Sequence, residues 1–205
     1  VTLLQQGQSE HQISGIYNRS NPVTVAALQD ADVAIVFVPP MAMPSLIPLL
    51  LDARIDVVCG TTGHAWADDL AAQVAANNNR WVLAHNFSLG MNLVRHCLGI
   101  LGKSGLLFGN PQYRIDEVHH TKKVDSPSGT AISWREWLEQ DCDIHATREG
   151  DVRGIHQLLL ETEFEKIELR HESKERALFA QGAIWAATYL ATHTAEVATG
   201  ITTFA

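Results

Sequence analysis

The sequence predicts an α/β protein in two parts, a doubly wound parallel sheet followed by an α+β domain with a sheet of its own. Three observations carry this. The runs at 32–38 (DVAIVFV), 55–59 (IDVVC) and 81–84 (WVLA) are apolar but for Asp32 and Asp56, as expected of strands covered on both faces of a parallel sheet. Helical patterns alternate with them, the order that builds such a sheet. From about residue 110 the strands lengthen and take a period of two. The first domain is therefore expected over 1–109, rejoined by the tail 193–205, and the second over 110–192.

Taken in order, 1–7 reads as the end of a helix with Gly7 as its stop, and 12–17 as a strand closed by the Asn-Arg-Ser-Asn-Pro loop at 18–22. A short helix over 24–29 precedes the first apolar run, and Pro39, Pro40 and Pro44 punctuate the chain after that run. The helix expected over 66–76 separates the second and third runs, and 89–101 reads as a long helix closed by Gly102. Strands are expected at 113–119, 143–147, 152–162 and 165–172 as an antiparallel set, with the apolar helix 177–192 packed on it.

Composition narrows the class of function. With 205 residues and 46% hydrophobic content the chain can build real cores. A net charge of -8 argues against nucleic acid or an anionic membrane as the main partner. No window is long and apolar enough to span a bilayer, and the first residues lack the basic start and apolar run of a signal peptide. The three cysteines are widely spaced and never form a CxxC pair, which fits a reducing cytoplasm, and Cys59 reads as a small buried hydrophobe. A start at Val1 fits a fragment or a processed chain.

The chemistry concentrates in 117–132, EVHHTKKVDSPSGTAI. His119 and His120 are neighbours on a strand and point to opposite faces, so they share a site only if the strand ends or bends there. Ser128 is placed to cap the next helix, and the unpaired N–H groups at such a start, with the positive end of its dipole, suit a carboxylate or phosphate. The stretch thus supplies titratable acids, cations and an anion cradle. Zinc is an open third reading, but the spacing matches no known zinc motif, and no metal is expected. The turn Gly60-Thr61-Thr62-Gly63 and the segment Asn86-Phe87-Ser88 both come directly after buried strands, where open α/β sheets bind their ligands. Taken alone, the first reads more readily as a tight loop.

HHTKKVDSPSGTA resembles the signature of the dihydrodipicolinate reductase family, the 4-hydroxy-tetrahydrodipicolinate reductases of lysine biosynthesis. Gly60 to Gly63 resembles the family's GTTG loop and Asn86-Phe87-Ser88 its NFS turn. Arg148, Gly150, Asp151, Gly154 and His156 resemble its R-x-GD-x-x-G-x-H strand, and His171, Arg176, Phe179, Ala180, Gly182 and Ala183 its last strand and helix. The resemblance implies a Rossmann-like first domain and NADPH- or NADH-dependent reduction of a cyclic dicarboxylate by a cytoplasmic homotetramer. On it, His119 is the general acid and Lys123 holds a substrate carboxylate. His120, Ser128, Gly129 and Thr130 complete the substrate site, while Gly60, Thr61, Thr62, Asn86 and Phe87 line the cofactor cleft. Arg19 beside Asn18 favours NADPH, although a solvated loop arginine fits equally well.

The sequence also departs from the family. It holds no G-x-G-x-x-G pattern for a pyrophosphate, Val36 and Val38 stand where polar residues are usual, and the span from Leu138 to Arg148 is short. The alternative to an active reductase is a non-catalytic relative that binds a dicarboxylate or a partner subunit.

Overall fold

The computed structural model describes residues 1–5 and 11–204. In chain order the helices and strands are α1 (Thr2–Gln5), α2 (Val25–Gln29), β1 (Val33–Val36), α3 (Met43–Ala53), β2 (Asp56–Cys59), α4 (Leu70–Ala76), β3 (Arg80–Leu83) and α5 (Leu89–Leu101). They continue with α6 (Gly105–Phe108), β4 (Gln112–His119), α7 (Gly129–Leu138), β5 (Asp143–Arg148), β6 (Ile155–Glu161), β7 (Lys166–Glu172), α8 (Ala177–Thr192) and β8 (Gly200–Thr203). The helix stop expected at Gly7 lies outside the described residues.

Two compact units form, Val1–Ser88 with Phe179–Ala205, and Leu89–Leu178. The change of pattern in the sequence places the divisions near 110 and 192 instead. The first unit carries a sheet of order β1-β2-β3-β8, every pair parallel. β2 is buried along its whole length, which explains the apolar Val57-Val58-Cys59 run. Its one charged residue, Asp56, accepts a hydrogen bond from the Arg80 N–H at 2.7 Å and pairs with the Arg80 guanidinium, tying β2 to the start of β3. Pro44 sits in the first turn of α3, where a missing N–H breaks no helical bond. Residues 12–17 do not form the expected strand; beside them only an Asn18–Asn21 bridge closes a turn. An alternating pattern makes a strand only where a neighbour completes its hydrogen bonds.

The second unit carries a sheet of order β5-β4-β6-β7. β4–β6 and β6–β7 are antiparallel as expected, but β5 pairs with β4 in parallel, because α7 crosses over between them. One face of this sheet packs under α5 and α7, with Met91, Val94 and Leu98 meeting Ala131, Trp134, Leu138, Ile115 and Leu158. Gly102 lets the chain after α5 pass close to α7, since a Cβ there would fall 1.8 Å from the Leu138 carbonyl oxygen.

The helix expected to cover this second sheet contributes to the core of the first unit. Ala183, Ala186 and Leu190 of α8 join Val58, Val82 and Phe87 there. Gly182 comes so near residue 87 that an added Cβ would lie 1.6 Å from the Phe87 carbonyl oxygen. A largely apolar helix announces burial without naming the surface that buries it.

Candidate active site

β4 ends at His119, and the chain then turns, the Lys123 N–H donating to the His120 carbonyl at 3.1 Å. His119 is buried while His120 remains half-buried, as expected for neighbours at a strand end. Ser128 caps α7, its hydroxyl accepting from the Ala131 N–H at 3.2 Å. Gly129 is exposed and Thr130 half-buried at the start of that helix. All six residues expected to serve a substrate therefore belong to the second unit and to one run of chain, 119–130.

Three residues outside the expected site set organise this run. Glu117 is 0% exposed, and its Oε1 accepts from the Ser128 N–H at 2.9 Å and from Arg148 Nη2 at 3.1 Å. Its Oε2 lies 2.9 Å from His119 Nδ1 and 3.7 Å from His156 Nε2. His156, opposite Glu117 in the β4–β6 register, approaches the Ser128 hydroxyl at 3.1 Å, and its ring stands edge-on to that of His119. Glu117 shares a face with His119 by its spacing of two, a signal present in the sequence. Arg148 and His156 are marked in the sequence by the family strand they resemble, but nothing there places them beside Glu117.

Burial alone would raise the Glu117 carboxyl, but the hydroxyl and N–H of Ser128, the Arg148 guanidinium and His119 together hold it below the ordinary range. His119 is lowered, first by burial and then by Lys123 and Arg148, against the pull of Glu117. Glu117, His119 and His156 each bring a donor atom within 4.8 Å of the others, the residue types of a metal site. Arg148 already supplies a cation to the same carboxylate, and a second cation beside it would be opposed by that charge.

Lys123 Nζ lies 2.9 Å from Asp125 Oδ1, and the Asp125 carboxyl is held down first by Lys123 and also by the N–H of Gly129. An anion of the chain itself thus rests on two of the groups expected to hold a substrate carboxylate.

His156 is pushed down to about 4, first by burial and then by the neighbouring His119. In an unfolded chain its proton is taken up near 6.5, so below that pH the unfolded state binds more protons and stability falls. Burial lowers His171 as well, with the same sign. Stability is expected to drop between pH 6.5 and about 4, with His156 contributing on the order of 3 kcal/mol. Urea unfolding at pH 7 and pH 4.5 checks this, and His156→Gln should flatten the difference.

The residues expected to meet a cofactor all belong to the first unit. Gly60 and Asn86 lie just past the carboxyl ends of the adjacent parallel strands β2 and β3, the place where such sheets bind ligands. The Thr61 hydroxyl is spent within the loop, donating to the Val38 carbonyl at 2.9 Å and accepting from the Val38 N–H at 3.2 Å. Thr62 is exposed. Phe87 is 1% exposed, with its ring against Phe37 and Phe204, so only its backbone is left to face a ligand. Arg19 stands exposed in the Asn18–Asn21 turn. The Gly60 and Asn86 turns fit one end of a nicotinamide cofactor, but a glycine-rich turn for its pyrophosphate is not among the described residues.

The family whose description reads "Dihydrodipicolinate reductase, C-terminus" matches residues 90–203. The chain belongs to the dihydrodipicolinate reductase family. The 4-hydroxy-tetrahydrodipicolinate reductase of Christiangramia forsetii is 37% identical over 182 residues, covering 78% of this chain and 74% of its own. That of Thermosipho africanus is 38% identical over 109 residues, covering 53% of this chain and 49% of its own. In fold, the chain is similar to a dipicolinate-bound dihydrodipicolinate reductase from Paenisporosarcina sp. TG-14, with a TM-score of 0.71 at 20% identity, over 92% of this chain and 80% of that one. The dihydrodipicolinate reductase match takes in α7, β4 and the whole Glu117 cluster.

Proposed function

We propose that this chain is an oxidoreductase that reduces 4-hydroxy-tetrahydrodipicolinate to tetrahydrodipicolinate in the diaminopimelate route to lysine, as its relatives' names describe for them. The observation that carries the reading is the arrangement of His119, Lys123 and the α7 start on one short run inside the family match.

A nicotinamide cofactor supplies the hydride when bound. His119 then donates the proton to the ring carbon as the general acid. Lys123 holds a substrate carboxylate and stabilises the charge developing beside it. His120 assists Lys123, while Ser128 sets the start of α7 so that the Gly129 and Thr130 N–H groups receive the other carboxylate. Gly60, Thr61, Thr62, Asn86 and Phe87 shape the cofactor cleft, and Arg19 favours NADPH over NADH by offering a charge for a 2′-phosphate.

A cytoplasmic homotetramer assembled through the second unit's sheet belongs to the same reading. What supports it is that α5 and α7 cover one face of that sheet, whereas Arg114, Glu168 and Arg170 stand exposed from its strands. Among the described residues, no helix is long and apolar enough to cross a membrane.

The test is oxidation of NADPH, and separately of NADH, by the purified chain with freshly generated 4-hydroxy-tetrahydrodipicolinate. Turnover with faster use of NADPH is the expected result. A folded chain that turns over neither cofactor overturns the reading.

A further inference from the structure

We propose that Glu117 is a positioning residue that holds His119 with one proton fixed on Nδ1, so that Nε2 is the nitrogen that delivers the proton in turnover. The delivery step rests on the reductase reading; the setting of the ring does not.

The two oxygens of Glu117 have separate partners. Oε1 is taken by the Ser128 N–H and Arg148. Oε2 and His119 Nδ1 are both buried and lie 2.9 Å apart as an ion-pair contact, and neither makes an aligned hydrogen bond with any described residue. His156 Nε2 is farther from Oε2, at 3.7 Å, and is nearer the Ser128 hydroxyl. A buried carboxylate oxygen and a buried ring nitrogen each require a partner, and here each is the other's nearest. A carboxylate can only accept, which assigns the proton to Nδ1.

On the other side of the ring, Nε2 faces Gly154, where a Cβ would lie 3.1 Å away. The glycine leaves that nitrogen room that a side chain would take. The charged and titratable groups acting on His119 are Glu117, Lys123, Arg148, Asp125 and His156. Of these, buried Glu117 is the anion in direct contact with the ring, while Asp125 is exposed and paired with Lys123.

The proton balance is simple. The imidazolium breaks its Nε2–H bond as the new C–H bond forms on the substrate, and neutral His119 keeps its Nδ1 proton on Glu117. Water restores the proton at Nε2 for the next cycle. Because the same carboxylate grips the Ser128 N–H, the acid and the start of α7 are fixed to one group.

The setting is tested by long-range ¹H–¹⁵N correlation spectra of the full chain labelled at histidine, with His119 assigned through His119→Gln. Neutral His119 in the unaltered chain should show the Nδ1–H form. Glu117→Gln, which is isosteric but uncharged, should move it towards the Nε2–H form and lower its titration midpoint. In NADPH oxidation, the same variant should lose roughly tenfold or more in kcat with KM little changed. Its loss of activity with rising pH should also begin at lower pH, and Glu117→Asp should restore part of both. An Nε2–H form in the unaltered chain overturns the proposal without any variant having to fold, as does a midpoint unmoved by Glu117→Gln. If the spectra behave as expected but the unaltered chain turns nothing over, the reductase reading fails and the setting of the ring stands.

Discussion

Lys123→Ala is expected to lower turnover by about 10²–10³-fold, the usual cost of removing one group that stabilises developing charge. The Lys123 side chain is three-quarters covered and pairs with Asp125, just before the start of α7. On the proposed reading, removing it deletes the charge that holds the substrate carboxylate and relieves one of the charges lowering His119, while the contact of Glu117 with the His119 ring stays in place. Folding should hardly change, because an ion pair with an exposed partner contributes only about 0–1 kcal/mol. Steady-state rates with NADPH, beside urea unfolding of the same variant, separate the two effects. Unchanged turnover would remove Lys123 from the reaction.

Gly182→Ala carries the largest expected cost in stability. The Cβ would lie 1.6 Å from the carbonyl oxygen of Phe87, a backbone atom that cannot rotate aside. Either α8 or the segment carrying Phe87 must move, and both belong to a core with Val58, Val82 and Leu190. Overpacking of this kind costs about 3 kcal/mol at the upper end of its common range. The urea midpoint should fall clearly, whereas Gly105→Ala, with nothing within 4 Å of the new Cβ, should leave it level or raise it. Equal midpoints for the two variants would show that α8 can shift without loss.

The predominantly apolar runs located β1, β2 and β3; β2 is buried along its length and β3 at its centre, whereas β1 leaves Ile35 exposed. The direction of β5 was harder to read, although strand, helix and strand in succession is the order that produces parallel neighbours. α8 shows the limit of composition. Its apolar surface required burial, but the partner lay in a distant stretch of chain that no local pattern names. The site divides in the same way. His119, Lys123 and Ser128 stand in one legible segment, and Glu117 is two residues from His119 on the same face. Arg148 and His156 arrive from β5 and β6 through cross-strand register, which is settled only when the sheet forms.

The two ion pairs around the site differ in their access to water, and they should therefore differ in their response to salt. Glu117 is wholly enclosed, whereas the Asp125 side chain that meets Lys123 is 56% exposed. Dissolved ions screen charges they can surround and leave enclosed ones largely untouched. Raising ionic strength should loosen the hold of Lys123 on carboxylates, seen as a rising KM, while the pH dependence of kcat set by Glu117 and His119 stays in place. On the proposed reading, substrate capture would thus be open to the ionic medium, and the proton-donating half insulated from it.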